Sequence, residues 1–269
     1  MIMDIDRIIS DIAEKKRALL ERITLRDANI WLGEPEHFPL SNELTMESLR
    51  SRMHRYNIGG ALISHWNATR YSAQDGNSSL IDISDDLPEN VFTVWTGLPL
   101  QPREPGSLPC VCPPHPKMRA IRLYPKTHSF HFVSWVVGSL CKWCIEHDLP
   151  IFIWHLEVDW TNLFSISSMF PELRIVLETQ WQKIIYHNRN LFSLLDACPN
   201  VCVESSNFAG QDHVRYLVEQ FGAERLIFGS FLPVNDPLAS IGMILDADVA
   251  LRDKELMLGG NLKRITGIM

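Results

Sequence analysis

Eight short apolar runs, rich in β-branched and aromatic residues, recur along the chain after residue 22. They cover residues 23–33, 58–66, 91–99, 118–125, 150–157, 173–180, 200–208 and 225–233. Several are apolar almost throughout, the pattern of parallel strands covered on both faces. Between them the apolar period lengthens to that of a helix. Residues 45–57 open on a threonine suited to cap a helix N-terminus. Residues 132–148, 183–197 and 211–222 follow the fourth, sixth and seventh runs. Eight strands alternating with helices predict an α/β fold, a single (β/α)8 TIM barrel. An open doubly wound sheet is the alternative. No G-x-G-x-x-G follows any strand, which disfavours a dinucleotide site.

Two segments break the rhythm. Residues 67–90 carry the pattern of at most a short helix. Residues 99–116 hold seven prolines and cannot form one. The third βα unit is therefore expected to be irregular, with an extended loop in place of its helix. Ahead of the strands, Ile5, Ile8, Ile9, Ile12, Ala13, Leu19 and Leu20 lie at helical spacing opposite a charged face. Residues 1–22 are expected to form an extra N-terminal helix packed on a barrel spanning residues 23–269. A homo-oligomer contact is the alternative use of that apolar face.

Composition adds exclusions. The chain has 269 residues and a formal charge of -7, with no basic stripe interleaved with aromatics, so no nucleic-acid partner is expected. No apolar run approaches the roughly 18 residues of a membrane span. The N-terminus lacks the uninterrupted apolar core of a signal peptide, and six cysteines fit a reducing compartment. Both point to a cytoplasmic protein. Cys141 and Cys144 form a C-x-x-C inside a helical pattern with no strand before it, which reads as two small helix residues rather than a redox pair. Cys110, Cys112 and His115 have no fourth ligand nearby and predict no structural zinc.

In a barrel, chemistry gathers at the C-terminal strand ends, and residues two apart on a strand share a face. The strands offer Asn29 and Trp31, Ser64 or His65, Arg122 and Tyr124, and His155 and Glu157. They further offer Glu178 and Gln180 with Thr179 between them, Glu204 and Ser206, and Ser230 or Phe231. A histidine beside a carboxylate makes an acid–base pair, so His155 with Glu178 or Glu204 is the candidate catalytic set. Arg122 suits an anionic group, with Tyr124, Asn29 and Trp31 completing a substrate-binding set. The same charges would equally satisfy one another as an ion-paired network, since buried charges need partners. Trp66, Trp95, Trp154, Trp160 and Trp181 fall near strand ends. They suit a mouth that stacks a flat or sugar-like ligand, or a plug that fills it. His128 and His131 fall on a mouth loop, and Asn261 reads as the N-cap of a last short helix.

Six segments carry a resemblance. They are RAIRLYP (119–125), DLPIFIWH (148–155), FPELRIVLETQ (170–180), LLDACPNVCVESS (194–206), VEQFGAERLIFGSFLP (218–233) and LGGNLKRITG (258–267). In order and in register with the strands, they resemble landmarks of the amidohydrolase superfamily, in its branch of metal-dependent hydrolases and decarboxylases. The likeness covers roughly residues 23–267. It implies a barrel with a metal, usually zinc, at its mouth. The family's ligands are an H-x-H on the first strand, a histidine ending the fifth, a histidine ending the sixth and an aspartate on the eighth. Those positions hold Asn29 and Trp31, His155, Thr179, and Phe231, so one ligand of five remains. A catalytic zinc needs about three protein ligands. Trp31 and Phe231 cannot ligate, Asn29 and Thr179 are weak neutral donors, and Phe231 replaces the family's proton acceptor.

The expectation is a divergent amidohydrolase-like protein with a degenerate metal site and no cofactor. It would lack metal-dependent hydrolysis and bind a small molecule at the barrel mouth, or a partner. One alternative is a metal-free lyase, isomerase or hydrolase using His155 on a small carboxylated compound. Another is a metal-dependent hydrolase with relocated ligands.

Overall fold

A computed structural model describes residues 5–35, 44–99, 115–210 and 212–268. All eight runs are strands: β1 Leu25–Leu32, β2 Ile58–His65, β3 Val91–Thr96, β4 Met118–Leu123, β5 Ile151–Trp154, β6 Ile175–Glu178, β7 Val201–Glu204 and β8 Leu226–Ile227. They form one parallel sheet in sequential order. β8 returns to β1 through the bonds Ala28 N–H to Phe228 O and Trp31 N–H to Leu232 O, which bring the sheet round into a (β/α)8 barrel.

Strand periodicity builds the interior in layers. Each strand contributes one inward side chain to the lower ring: Ala28, Leu62, Val94, Ala120, Phe152, Val176, Cys202 and Ile227. Leu262, Ile265 and Ile268 close the floor beneath it. Two residues further along β2, β4, β6 and β7 stand Ser64, Arg122, Glu178 and Glu204, all buried. Side chains two apart face the same way, so the apolar ring carries a polar layer directly above it. β1 reaches this layer differently. Its register against β2 shifts between Asp27 and Ile30, a local bulge of the kind that re-aims side chains. Trp31, Trp66, Tyr124 and Phe231 form an aromatic layer on top, with Trp181 packed against it.

Helices cover the outside. The helix Met46–Arg55 is capped by Thr45, whose hydroxyl accepts from Ser48 N–H in a reciprocal capping box. Cys141 and Cys144 are buried in the helix Ser134–Glu146, as the C-x-x-C reading requires. Residues 67–90 correct an expectation: they hold a short helix, Asn67–Arg70, and a ten-residue helix, Ala73–Asp82. Ser72 caps the second, and Asn77 anchors it to β3 by bonding both the N–H and the carbonyl of Thr96. The polar sequence hid it because its buried face is made of Ala73, Gly76, Asn77 and Leu80. Cys110, Cys112 and most of the proline-rich stretch lie outside the described residues. His115 stacks on Trp95 with ring centres 5.7 Å apart.

The N-terminal helix spans Ile5–Leu20. Its Leu19 and Leu20 pack on the core, and Lys16 pairs with Asp246 at 2.7 Å. Asn261 is not an N-cap. It continues the helical backbone from the turn before it, and its buried amide donates to the carbonyls of Ala223 and Leu226. Among the described residues, no helix is long and apolar enough to cross a membrane.

Candidate functional site at the barrel mouth

The polar layer is organised by Arg122. Its guanidinium is 1% exposed. Nε donates to Glu178 Oε2 at 3.0 Å, and Nη2 donates to Oε1 at 2.5 Å. Nη1 bonds Ser64 Oγ, and Nη2 also reaches Asn29 Oδ1 at 3.4 Å. Such a fork-to-fork pair is a strong charged arrangement. Burial acts to lower the Arg122 pKa, but the carboxylate of Glu178 outweighs it and the guanidinium stays charged. Gln180 donates to Glu178 at 3.0 Å and completes that carboxylate.

Asn29 joins this pair to a second carboxylate. Its Oδ1 accepts from Trp31 Nε1 at 2.7 Å, and its Nδ2 donates to Glu204 Oε2 at 3.4 Å. Glu204 also accepts from Thr179 N–H and Oγ1 and from Ser206 N–H and Oγ. Burial, and then the charge of Glu178, push the Glu204 pKa up to about 8 against these donors. Asp27 escaped the sequence reading. It is fully buried and accepts from the N–H groups of Asn29 and Ser230, tying β1 to the loop after β8. Burial raises its pKa to about 6. An acidic residue inside the strand LRDANIWL, where carboxylates are rare unless paired, was the available signal.

The sequence-derived residues therefore divide. Asn29, Trp31, Arg122, Glu178 and Glu204 converge in one network. His155 stands beside it. Its Nδ1 meets the backbone carbonyl of Glu178 at 3.0 Å, not the carboxylate. A carbonyl only accepts, so the proton sits on Nδ1, and Nε2 is left as a buried lone pair without a hydrogen-bond partner. Burial chiefly lowers its pKa to about 4, which keeps the ring neutral near pH 7. His187 packs 5.5 Å away. Tyr124 belongs to the aromatic layer, its ring 6.3 Å from Trp31.

That layer caps the network. Trp31 stacks on Trp66 at 4.3 Å, and Arg122 lies 4.7 Å from the Trp31 ring centre. Phe231 packs against Trp66 and edge-on to Trp181 at 5.0 Å. It does so with φ of +59°, a left-handed backbone unusual for a bulky side chain. His128 Nε2 donates to the backbone carbonyl of Ala68, 2.9 Å away, and its ring packs edge-on to Tyr124.

The family model described as Amidohydrolase matches residues 112–265. No curated protein matches the chain. Solved structures resemble it at low identity. An uncharacterized TIM-barrel protein from Bordetella bronchiseptica is 15% identical, with 91% of this chain and 99% of that one covered and a TM-score of 0.68. 5-Carboxyvanillate decarboxylase from Sphingomonas paucimobilis is 14% identical, covering 92% and 100%, with a TM-score of 0.67. A zinc-bound amidohydrolase from Burkholderia multivorans is 14% identical, covering 91% and 100%, with a TM-score of 0.68.

Proposed function

The chain belongs to the amidohydrolase family, and from that premise we propose that its mouth has exchanged the family's metal centre for a fixed protein cation and serves to bind a small ligand. The observation that carries this reading is the buried guanidinium of Arg122, bonded to Glu178, Ser64 and Asn29. It is a permanent positive charge at the height in the barrel where ligand positions gather. A divalent ion brought there would meet that charge and a Glu178 carboxylate already taken by it.

The five ligand positions fit a metal poorly. Asn29 Oδ1 is engaged by Trp31 and Arg122. Thr179 Oγ1 accepts from Asn207 N–H at 2.7 Å and bonds Glu204. Trp31 and Phe231 present rings without donor lone pairs. His155 alone offers a lone pair, and one imidazole is short of the three ligands a catalytic zinc requires. Among the described residues, no three of His, Cys, Asp and Glu group to hold an ion. The acid–base alternative has less support. The carboxylates of Glu178 and Glu204 are engaged by Arg122, Gln180, Asn29, Thr179 and Ser206, away from the His155 ring. Above the network, buried Trp31, Trp66 and Tyr124 and half-buried Trp154 and Trp181 line a cavity, which suits binding.

Metal content of the purified full chain tests the reading, by elemental mass spectrometry beside a thermal-shift titration with zinc. The reading expects well under one metal per chain and no zinc-dependent shift. About one zinc or manganese per chain, the stoichiometry of a single catalytic site, would overturn it.

A further inference from the structure

We infer that the cavity over the barrel mouth is a site for a small organic cation, a quaternary or tertiary ammonium; this rests on the ligand-binding reading above. The cavity measures about 340 Å³ and is walled by Trp31, Trp66, Tyr124, Trp154 and Trp181, with Glu157 as its acidic member. Aromatic rings carry negative faces, and several around one space attract a desolvated cation. Glu157 supplies the full opposite charge. Its carboxylate is held in place by the N–H groups of Lys126 and Thr127, at 2.8 and 2.9 Å, and by Thr127 Oγ1 at 2.8 Å.

The basic groups around the cavity are turned to other work. Arg122 lies beneath the aromatic layer, 1% exposed, with its donors on Glu178, Ser64 and Asn29. The Lys126 ammonium bonds the carbonyl of Leu156 and is not among the residues that line the cavity. The His128 ring bonds the carbonyl oxygen of Ala68, and burial lowers its pKa, so it brings no charge near pH 7. An anionic ligand would therefore meet Glu157 without a compensating cation from the described lining residues. A neutral ring would stack but bring Glu157 no counter-charge. The volume lies at the lower end of small-molecule pockets, which suits a compact headgroup.

The test is calorimetric titration of the full-length chain with choline, with its uncharged isostere 3,3-dimethyl-1-butanol, and with benzoate, at one ionic strength. Metal content is measured on the same preparation. Choline should bind at least about tenfold tighter than the isostere, and benzoate weaker than both. Glu157→Gln should erase most of the preference for choline over its isostere. Trp154→Leu, at a half-buried wall, should weaken choline in a chain whose circular dichroism is unchanged. Equal binding of choline and the isostere, tighter binding of benzoate, or no choline binding at about 10 mM overturns the inference. In a metal-free preparation those outcomes leave the ligand-binding reading standing. One metal per chain removes that reading as well.

Discussion

The guanidinium of Arg122 lies 4.7 Å from the centre of the Trp31 ring while its Nε and Nη2 hold both oxygens of Glu178. One side chain thus neutralises a buried acid and supports the aromatic cap above it. A buried pair of this kind contributes less net stability than its Coulomb energy suggests, because both ions leave water. Removing one partner strands the other.

Arg122→Ala should therefore cost about 3–5 kcal/mol in urea unfolding, since Glu178 would be left buried without its counter-charge. The double variant Arg122→Met with Glu178→Leu should be more stable than Arg122→Ala. It removes both charges and keeps most of the volume, and neighbouring sites are strongly non-additive. Equal losses in the two proteins would mean that the bonds from Arg122 to Ser64 and Asn29, lost in both, outweigh the stranded charge of Glu178.

Phe231 supports a second prediction. Its ring is fully buried among Trp66, Trp181 and its neighbours, so Phe231→Ala should cost about 3–5 kcal/mol through the void it leaves. The backbone there has φ of +59°. Glycine tolerates that region and alanine does not, so Phe231→Gly should be about 1 kcal/mol less destabilising than Phe231→Ala, in spite of its larger void. Unfolding midpoints in the reverse order would argue that the backbone relaxes once the ring is gone.

The barrel was legible because its strands are buried on both faces and read as apolar runs even where only two to four residues, as in β8 or β5, form regular ladder. The polar layer was legible for a related reason: Arg122, Glu178 and Glu204 interrupt those runs at their C-terminal ends. What sits beside each of them was not legible. Glu178 and His155 are adjacent, yet the contact runs through a backbone carbonyl, and no spacing rule distinguishes that from a carboxylate contact. Asp27 was missed because the bulge in β1 breaks the period of two that assigns a residue to a face. The helix Ala73–Asp82 was missed because its buried side is small and polar, so apolar periodicity carried no signal. Asn261 matched the residue type of a cap, but capping depends on backbone angles, and those are helical here.

The titration of Glu204 gives a pH prediction. Its pKa is raised to about 8 from an ordinary 4.5, so between those values the folded state binds more protons than the unfolded chain. Stability then falls as pH rises. Asp27, raised from 3.8 to about 6, acts in the same direction at lower pH. His155, lowered from 6.5 to about 4, acts oppositely: its contribution makes stability rise across that window. Between about pH 6.5 and 8 only Glu204 among these three is changing. Thermal midpoints should decline over that interval in the native chain and stay flat in Glu204→Gln, whatever the variant's absolute stability. A native midpoint that rises from pH 6.5 to 8 would show that Glu204 is already ionised, held so by its five donors.

Gly229 offers the last prediction, because its surroundings and those of Gly242 differ sharply. A Cβ on Gly229 would stand 2.3 Å from Glu204 Oε1 and 2.7 Å from Glu204 Cδ. That carboxylate cannot swing away without releasing Asn29, Thr179 and Ser206. A Cβ on Gly242, inside the helix Pro237–Asp246, would meet nothing within 4 Å. Gly242→Ala should accordingly stabilise by roughly 0.5–1 kcal/mol through lower chain entropy. Gly229→Ala should destabilise by about 1–3 kcal/mol as an overpacked site. It should also disturb the decline between pH 6.5 and 8, since the group that titrates is the group displaced. Chemical unfolding of both variants at two pH values reads the two effects together. A Gly229→Ala protein with native stability and a native pH slope would mean that the Glu204 carboxylate does not lie against the backbone just after β8, and the network through Asn29 to Arg122 would have to be redrawn.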